Sequence, residues 1–258
     1  QQLNYQHTRR KDASSLLAHS ATFIKQLPWR HTLTLIGSHS DSELDGSRIA
    51  VPALNIHSRS WQLGVRYSMP VRKKSSLMNT LTYGIDFKRS ENGNAIRGTP
   101  EPNTKTDVAQ AVVSYQVIMP LKNGHVSASS TVTYSPGGIG GHNKKAATAL
   151  SGDPQYWIWK LNGGFTYKMS DTFTFVSRAQ KQWATDQLAG SEQMSLGGAY
   201  SVRGYDTSEA TGEEGYSMTM EIQAKPSSFF NKLKKFKLKN DQAQFFWFMD
   251  YGSVSLIN

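Results

Sequence analysis

Apolar and polar residues alternate one by one along much of this chain. That is the period of an extended strand, whose successive side chains point to opposite faces of a sheet. From Tyr156 to Lys168, one face collects Trp157, Trp159, Leu161, Gly163, Phe165 and Tyr167, and the other Lys160, Asn162, Thr166 and Lys168. No helical period sorts them this way. After a short Met169-Ser170 turn, Phe173, Phe175, Ala179 and Trp183 oppose Thr172, Thr174, Arg178, Gln180 and Gln182. The same holds for Trp61, Leu63, Val65, Tyr67 and Met69 against Gln62, Arg66 and Ser68, and for Leu77, Leu81, Tyr83, Ile85 and Phe87 against Thr80, Thr82, Asp86 and Lys88. Tyr216, Met218, Met220 and Ile222 oppose Ser217, Thr219, Glu221 and Gln223. The pattern predicts about eleven strands, over 2–10, 15–27, 31–41, 57–69, 76–89, 106–120, 125–134, 156–168, 171–184, 215–225 and 243–252.

Strand length and connection length point to a membrane barrel. Many of these strands exceed ten residues, whereas globular strands average about five or six and membrane-crossing strands need about nine to eleven. Short connections (Pro28 to Arg30, Pro70 to Ser75, Leu121 to Gly124, Met169-Ser170) alternate with long ones (42–56, 90–105, 135–155, 185–214). Outer-membrane barrels show this asymmetry between periplasmic turns and extracellular loops. The expected fold is therefore all-β, a transmembrane antiparallel β-barrel. Trp157, Trp159 and Trp183 then lie near the outer rim, in an aromatic girdle. The competing reading makes them core aromatics of a soluble sheet, but the opposite face is too polar to pack against a second layer. A sheet in lipid must close, and bacterial barrels have even strand numbers. An odd count and a start at Gln1, with neither methionine nor leader, suggest a fragment whose first and last strands lie elsewhere.

Composition removes other classes. Only 38% of residues are hydrophobic, and apolar runs such as Phe245 to Met249 fall far short of the roughly 20 residues of a membrane helix. There is no cysteine, hence no disulfide, thiolate metal site or thiol nucleophile. The net charge of +10 raises nucleic-acid binding, but the basic residues form no stripe with interleaved aromatics. Lys232 to Lys239 reads as a solvated connection, or else extends the flanking strands or lies against anionic lipid. Seven histidines show no metal-binding spacing, and most are expected in lumenal or loop positions. Gly137-Gly138-Ile139-Gly140-Gly141 reads as flexible loop, since no helix follows to make a phosphate cradle. No nucleophile elbow, P-loop or dinucleotide fingerprint is present, so neither catalysis nor a cofactor is expected.

The longest loop leads into Ser195-Leu196-Gly197-Gly198-Ala199-Tyr200-Ser201-Val202-Arg203-Gly204-Tyr205-Asp206, and Phe248-Met249-Asp250-Tyr251-Gly252 follows near the end. These resemble two motifs of the Omp85 superfamily in the right order: V-R-G-[YF] after a paired glycine, and F-x-D-x-G on a later strand. The wording of the loop resembles the transporter branch of two-partner secretion, the haemolysin-activator and filamentous-haemagglutinin exporters. The resemblance spans the whole chain, although only those two motifs are specific. It implies a barrel of about sixteen strands, of which residues 1–258 supply roughly the third to the thirteenth. A plug helix and two POTRA domains would lie outside the chain. It further implies a monomeric pore in the Gram-negative outer membrane, surrounded by lipid and lipopolysaccharide, that passes an unfolded exoprotein with an N-terminal secretion domain to the cell surface without nucleotide.

Parity along 243–252 places Phe245, Trp247 and Met249 toward lipid, and Phe248 and Asp250 toward the lumen, with Glu221 also inward. An arginine on a loop folded into the lumen then meets Asp250 or Glu221 in a charge-assisted pair. The family holds this arginine on the inner wall, so Arg203 to Asp250 is the expected principal contact. Gly204 is expected to serve a close approach or a positive φ, and Tyr205 to pack on Phe248. Val202, Gly197, Gly198 and Gly252 complete the candidate site. Three rivals stay open: an Omp85 assembly factor that inserts other barrels, a passive porin, and a soluble basic binding protein.

Overall fold

The computed structural model describes residues 1–11, 14–45, 54–71, 77–96, 99–100, 104–140, 155–227 and 242–257. Its strands are β1 (Gln2–Lys11), β2 (Ser14–Gln26), β3 (Thr32–Asp45), β4 (Leu54–Pro70), β5 (Met78–Ile96), β6 (Thr99–Pro100), β7 (Thr104–Leu121), β8 (Gly124–Pro136), β9 (Gln155–Lys168), β10 (Phe173–Ala184), β11 (Met194–Leu196), β12 (Ala210–Gly212), β13 (Glu214–Ala224) and β14 (Phe246–Ser255). One antiparallel sheet runs β1-β2-β3-β4-β5-β7-β8-β9-β10-β13-β14, with β6 folded back on the end of β5, while β11 and β12 form a separate two-stranded ribbon. Every neighbour in the wall is a neighbour in sequence, apart from the short strands inserted between them. The expected antiparallel barrel wall is what forms.

The strands differ from expectation mainly at their loop ends. The stretches 42–56 and 90–105 were expected as long loops, yet β3 runs to Asp45, β4 begins at Leu54, β5 runs to Ile96 and β7 begins at Thr104. Above the lipid, a strand has no need of an apolar face, so the hydrophobic alternation fades before the backbone ladder ends. Charge pairing replaces it. Asp41, Arg59, Glu91 and Lys105 stand side by side on β3, β4, β5 and β7. Their signs alternate, with Arg59 to Asp41 and Lys105 to Glu91 both at 3.0 Å. At the opposite end, β10 starts at Phe173 rather than 171, because the Ser170 hydroxyl accepts the N–H groups of Thr172 and Phe173 and holds them in the turn. Gly137, Gly138 and Gly140 have positive φ, and a Cβ added at Gly140 would press on Asp107. Residues 72–75 of the Pro70 to Ser75 turn, Gly141, His142 and Lys232 to Lys239 lie outside the described residues.

The two faces are sorted by parity. Leu35, Leu63, Val65, Ile85, Trp157 and Trp159 are exposed on the outward face. Stacked pairs Tyr134–Trp157 and Trp159–Trp183, at 4.3 and 4.9 Å between ring centroids, mark the expected aromatic belt on that side. Inward, hydroxyls pair across the strands, Ser40 with Ser60, Ser68 with Thr82 and Ser114 with Thr131, at 2.8 to 2.9 Å. The histidines correct the sequence reading. His7, His19 and His39 stand in one row on β1, β2 and β3, beside Trp61 of β4, and therefore face outward with Leu35 and Leu63 rather than into the lumen. His57 joins Asp41 on that face. Among the described residues no helix is long and apolar enough to cross a membrane.

Candidate functional site

Residues 185–213 leave the wall between β10 and β13 and fold back over its inner face. The β11–β12 ribbon carries their tip, in which Gly197, Gly198 and Gly204 all have positive φ (105°, 86° and 91°). A Cβ on Gly197 would run into the Asp206 carbonyl, and one on Gly198 would come within 2.9 Å of the Thr207 hydroxyl. These glycines let the tip close on itself: the Gly198 N–H donates to the Tyr205 carbonyl at 3.0 Å, and the Gly197 N–H to the Ser201 hydroxyl at 2.8 Å. Gly204 has nothing within 4 Å of an added Cβ, so of its two expected uses only the positive φ applies. We predict that Gly204→Val, whose strain of about 1–2 kcal/mol lies in the backbone, frees the tip about tenfold, with Gly204→Asn milder. The rate at which a protease clips the tip measures this.

The tip delivers Arg203 to the wall. Thr219 of β13 faces Asp250 of β14, and Glu221 faces Phe248, so both carboxylates project from neighbouring positions of the lumenal face. Arg203 Nε donates to Asp250 Oδ2 and Nη2 to Oδ1, each at 2.6 Å, and Nη1 donates to Glu221 Oε1 at 2.6 Å. The Arg203 backbone N–H adds a bond to Asp250 Oδ2 at 3.0 Å, and the guanidinium carbon lies 3.7 Å from the Phe248 ring centre. The Asp250 side chain is 3% exposed and that of Arg203 20%. This is a forked, nearly dry charge pair with a cation–π contact beneath it. The hydrogen bond to Asp250, followed by that to Glu221, raises the pKa of Arg203 above its ordinary value, so the cation is permanent.

The neighbouring expected residues fall around this pair. A Cβ on Gly252 would meet Leu196 at 3.0 Å and Val202 at 3.1 Å, so this glycine is the notch in which the tip rests. Tyr205 differs from expectation. Its side chain is exposed (61%), and Phe248 is covered by Arg203 and packs on Phe246, not on Tyr205. A flat guanidinium anchored by two carboxylates has already occupied the ring face. Sequence reasoning missed the root of the loop, where Leu188 and Glu192 are buried against the wall. A lone leucine and a lone glutamate in a polar loop carry no signal for that.

The wall's polar inner face, aromatic outer belt and inward-anchored loop define a transmembrane β-barrel with a loop seated in its lumen. The chain belongs to the haemolysin secretion/activation protein ShlB/FhaC/HecB family, whose model matches residues 2–257. It lies in the outer membrane. The chain is 25% identical over 142 residues to the outer membrane transporter CdiB of Dickeya dadantii, covering 55% of this chain and 25% of that protein. It is 23% identical over 199 residues to the hemolysin transporter protein HpmB of Proteus mirabilis, covering 75% and 35%. Among solved structures, CdiB from Acinetobacter baumannii superposes with a TM-score of 0.70 at 14% identity, covering 94% of this chain and 40% of that one. The chain thus spans well under half of these relatives.

Proposed function

We propose that this chain is part of an outer-membrane pore that exports a partner exoprotein of haemolysin or adhesin type, with the Arg203 loop as its gate. The carrying observation is the seat of Arg203 on Asp250 and Glu221 inside a hydroxyl-lined lumen. A loop whose tip is held on the wall by a desolvated fork can narrow the pore at rest and clear it when the fork opens. Strands outside residues 1–258 complete the barrel, because β1 and β14 would otherwise leave unpaired backbone groups in lipid. POTRA domains on the periplasmic side bind the partner's N-terminal secretion domain, and the alternating charges above the aromatic belt meet lipopolysaccharide headgroups. Energy for export comes from folding of the partner outside the cell.

Membership in a family of secretion proteins supports this reading over a passive porin, as does the anchored loop. The test is to express the full-length protein with the exoprotein encoded beside it and to assay the medium. Export requires the exoprotein outside the cell, and its loss to the periplasm on deletion of the pore. Unchanged export on deletion, or a general fall in other outer-membrane barrels, would reject it, the latter in favour of an assembly factor.

A further inference from the structure

The loop has a second ionic seat, at its root, which belongs to neither sequence motif. Glu192, 5% exposed, accepts a hydrogen bond from Lys88 Nζ on one carboxylate oxygen at 2.8 Å, and from Gln110 Nε2 on the other at 2.9 Å. The same Gln110 amide donates to the Tyr156 hydroxyl at 2.9 Å. The backbone is held as well: Gln182 of β10 donates to the carbonyls of Glu192 at 3.1 Å and Glu213 at 2.9 Å, tying both legs of the loop to one side chain. Beside them Leu188, 1% exposed, packs in a cluster with Val108, Tyr156 and Ile158.

This seat is separate from that of Arg203. Lys88 is on β5 and Asp250 on β14, with β7, β8, β9, β10 and β13 between them. The chemistry also differs: one guanidinium meets two carboxylates at the tip, whereas one carboxylate meets a lysine and an amide at the root.

We infer that Glu192 is a positioning residue: it pins the root of the loop to β5, β7 and β10, so that opening at Arg203 swings the glycine-rich tip and leaves the root in place. A loop held only at its strand ends would, once Arg203 let go, wander through the lumen and obstruct it. A pinned root confines the movement to the tip, which hinges on the short β11–β12 ribbon. The role in gating rests on the proposed export function, whereas the pinning itself does not.

The experiment uses the full-length protein in lipid vesicles. Gly190→Cys and Gly163→Cys carry spin labels at two positions where an added Cβ meets nothing within 4 Å. Wild type is expected to give one narrow distance. Glu192→Lys and Lys88→Glu should each broaden it, the exchange Lys88→Glu/Glu192→Lys should restore it, and Glu192→Gln should fall between. Arg203→Ala should leave this distance narrow while raising pore opening, and Glu192→Lys should raise blockage of the open pore in planar bilayers. Unchanged distances in both single charge variants, or equal broadening by Arg203→Ala, would overturn the second anchor. If the wild-type protein exports nothing, the export reading falls, and the distances still decide the anchor.

Discussion

Arg203→Asp is expected to cause the largest loss of function of any substitution in this chain. It removes the cation that neutralises Asp250 and Glu221 and places a third carboxylate beside them. Breaking a buried pair by changing one partner costs about 3–5 kcal/mol, a shift of roughly a hundredfold to a few thousandfold in the ratio of seated to free tip. The tip should leave the wall almost entirely. In planar bilayers the pore should then stand open, and in cells the outer membrane should gain sensitivity to antibiotics too large for porins. Asp250→Arg should do the same from the other side, setting two arginines against each other. The double exchange returns a cation and an anion to facing positions, with Glu221 still able to bind the relocated arginine, and should recover part of the loss. If both single variants secrete and conduct as wild type does, Arg203 is not what holds the tip.

The same geometry marks how far the sequence could be read. Where lipid imposes an apolar face, as along Trp157 to Tyr167, period-two parity locates strand, face and belt together. Above the lipid that constraint disappears. The continuation of β5 past Arg89, through Glu91 and Asn92, looks like loop because its outward face is charged, although its partners Lys105 and Thr104 supply an opposite charge and a plain backbone ladder. Parity also carries a histidine wherever its neighbours go. His39 follows Leu35 and Gly37 onto the outer face, and a residue-type argument for the lumen fails against it. Arg203, Asp250 and Glu221 were legible because a motif and a parity count met at one place. Glu192 was not, since its partners Lys88 and Gln110 lie 104 and 82 positions away on β5 and β7, and nothing local specifies which wall residue a loop glutamate will find.

Parity also yields the sharpest test of the wall, in two adjacent residues. Val113 and Ser114 sit at nearly the same depth on β7. Val113 is exposed on the outward face opposite Tyr83 and Val132, whereas the Ser114 hydroxyl pairs with Thr131 on the lumenal side at 2.8 Å. Val113→Arg puts a guanidinium into lipid, at about 2–4 kcal/mol if near the midplane, so the full-length protein should fold and insert poorly. The expected readout is loss of the compact, heat-modifiable band on a gel and a fall in outer-membrane content. Ser114→Arg puts the same group one residue away into a wet lumen, where solvent and neighbouring hydroxyls hydrate it. Insertion should be unchanged, while single-channel conductance and ion selectivity shift toward anions. Equal effects of the two arginines on insertion would mean that β7 does not divide lipid from water, and a wall without that division could not surround a pore.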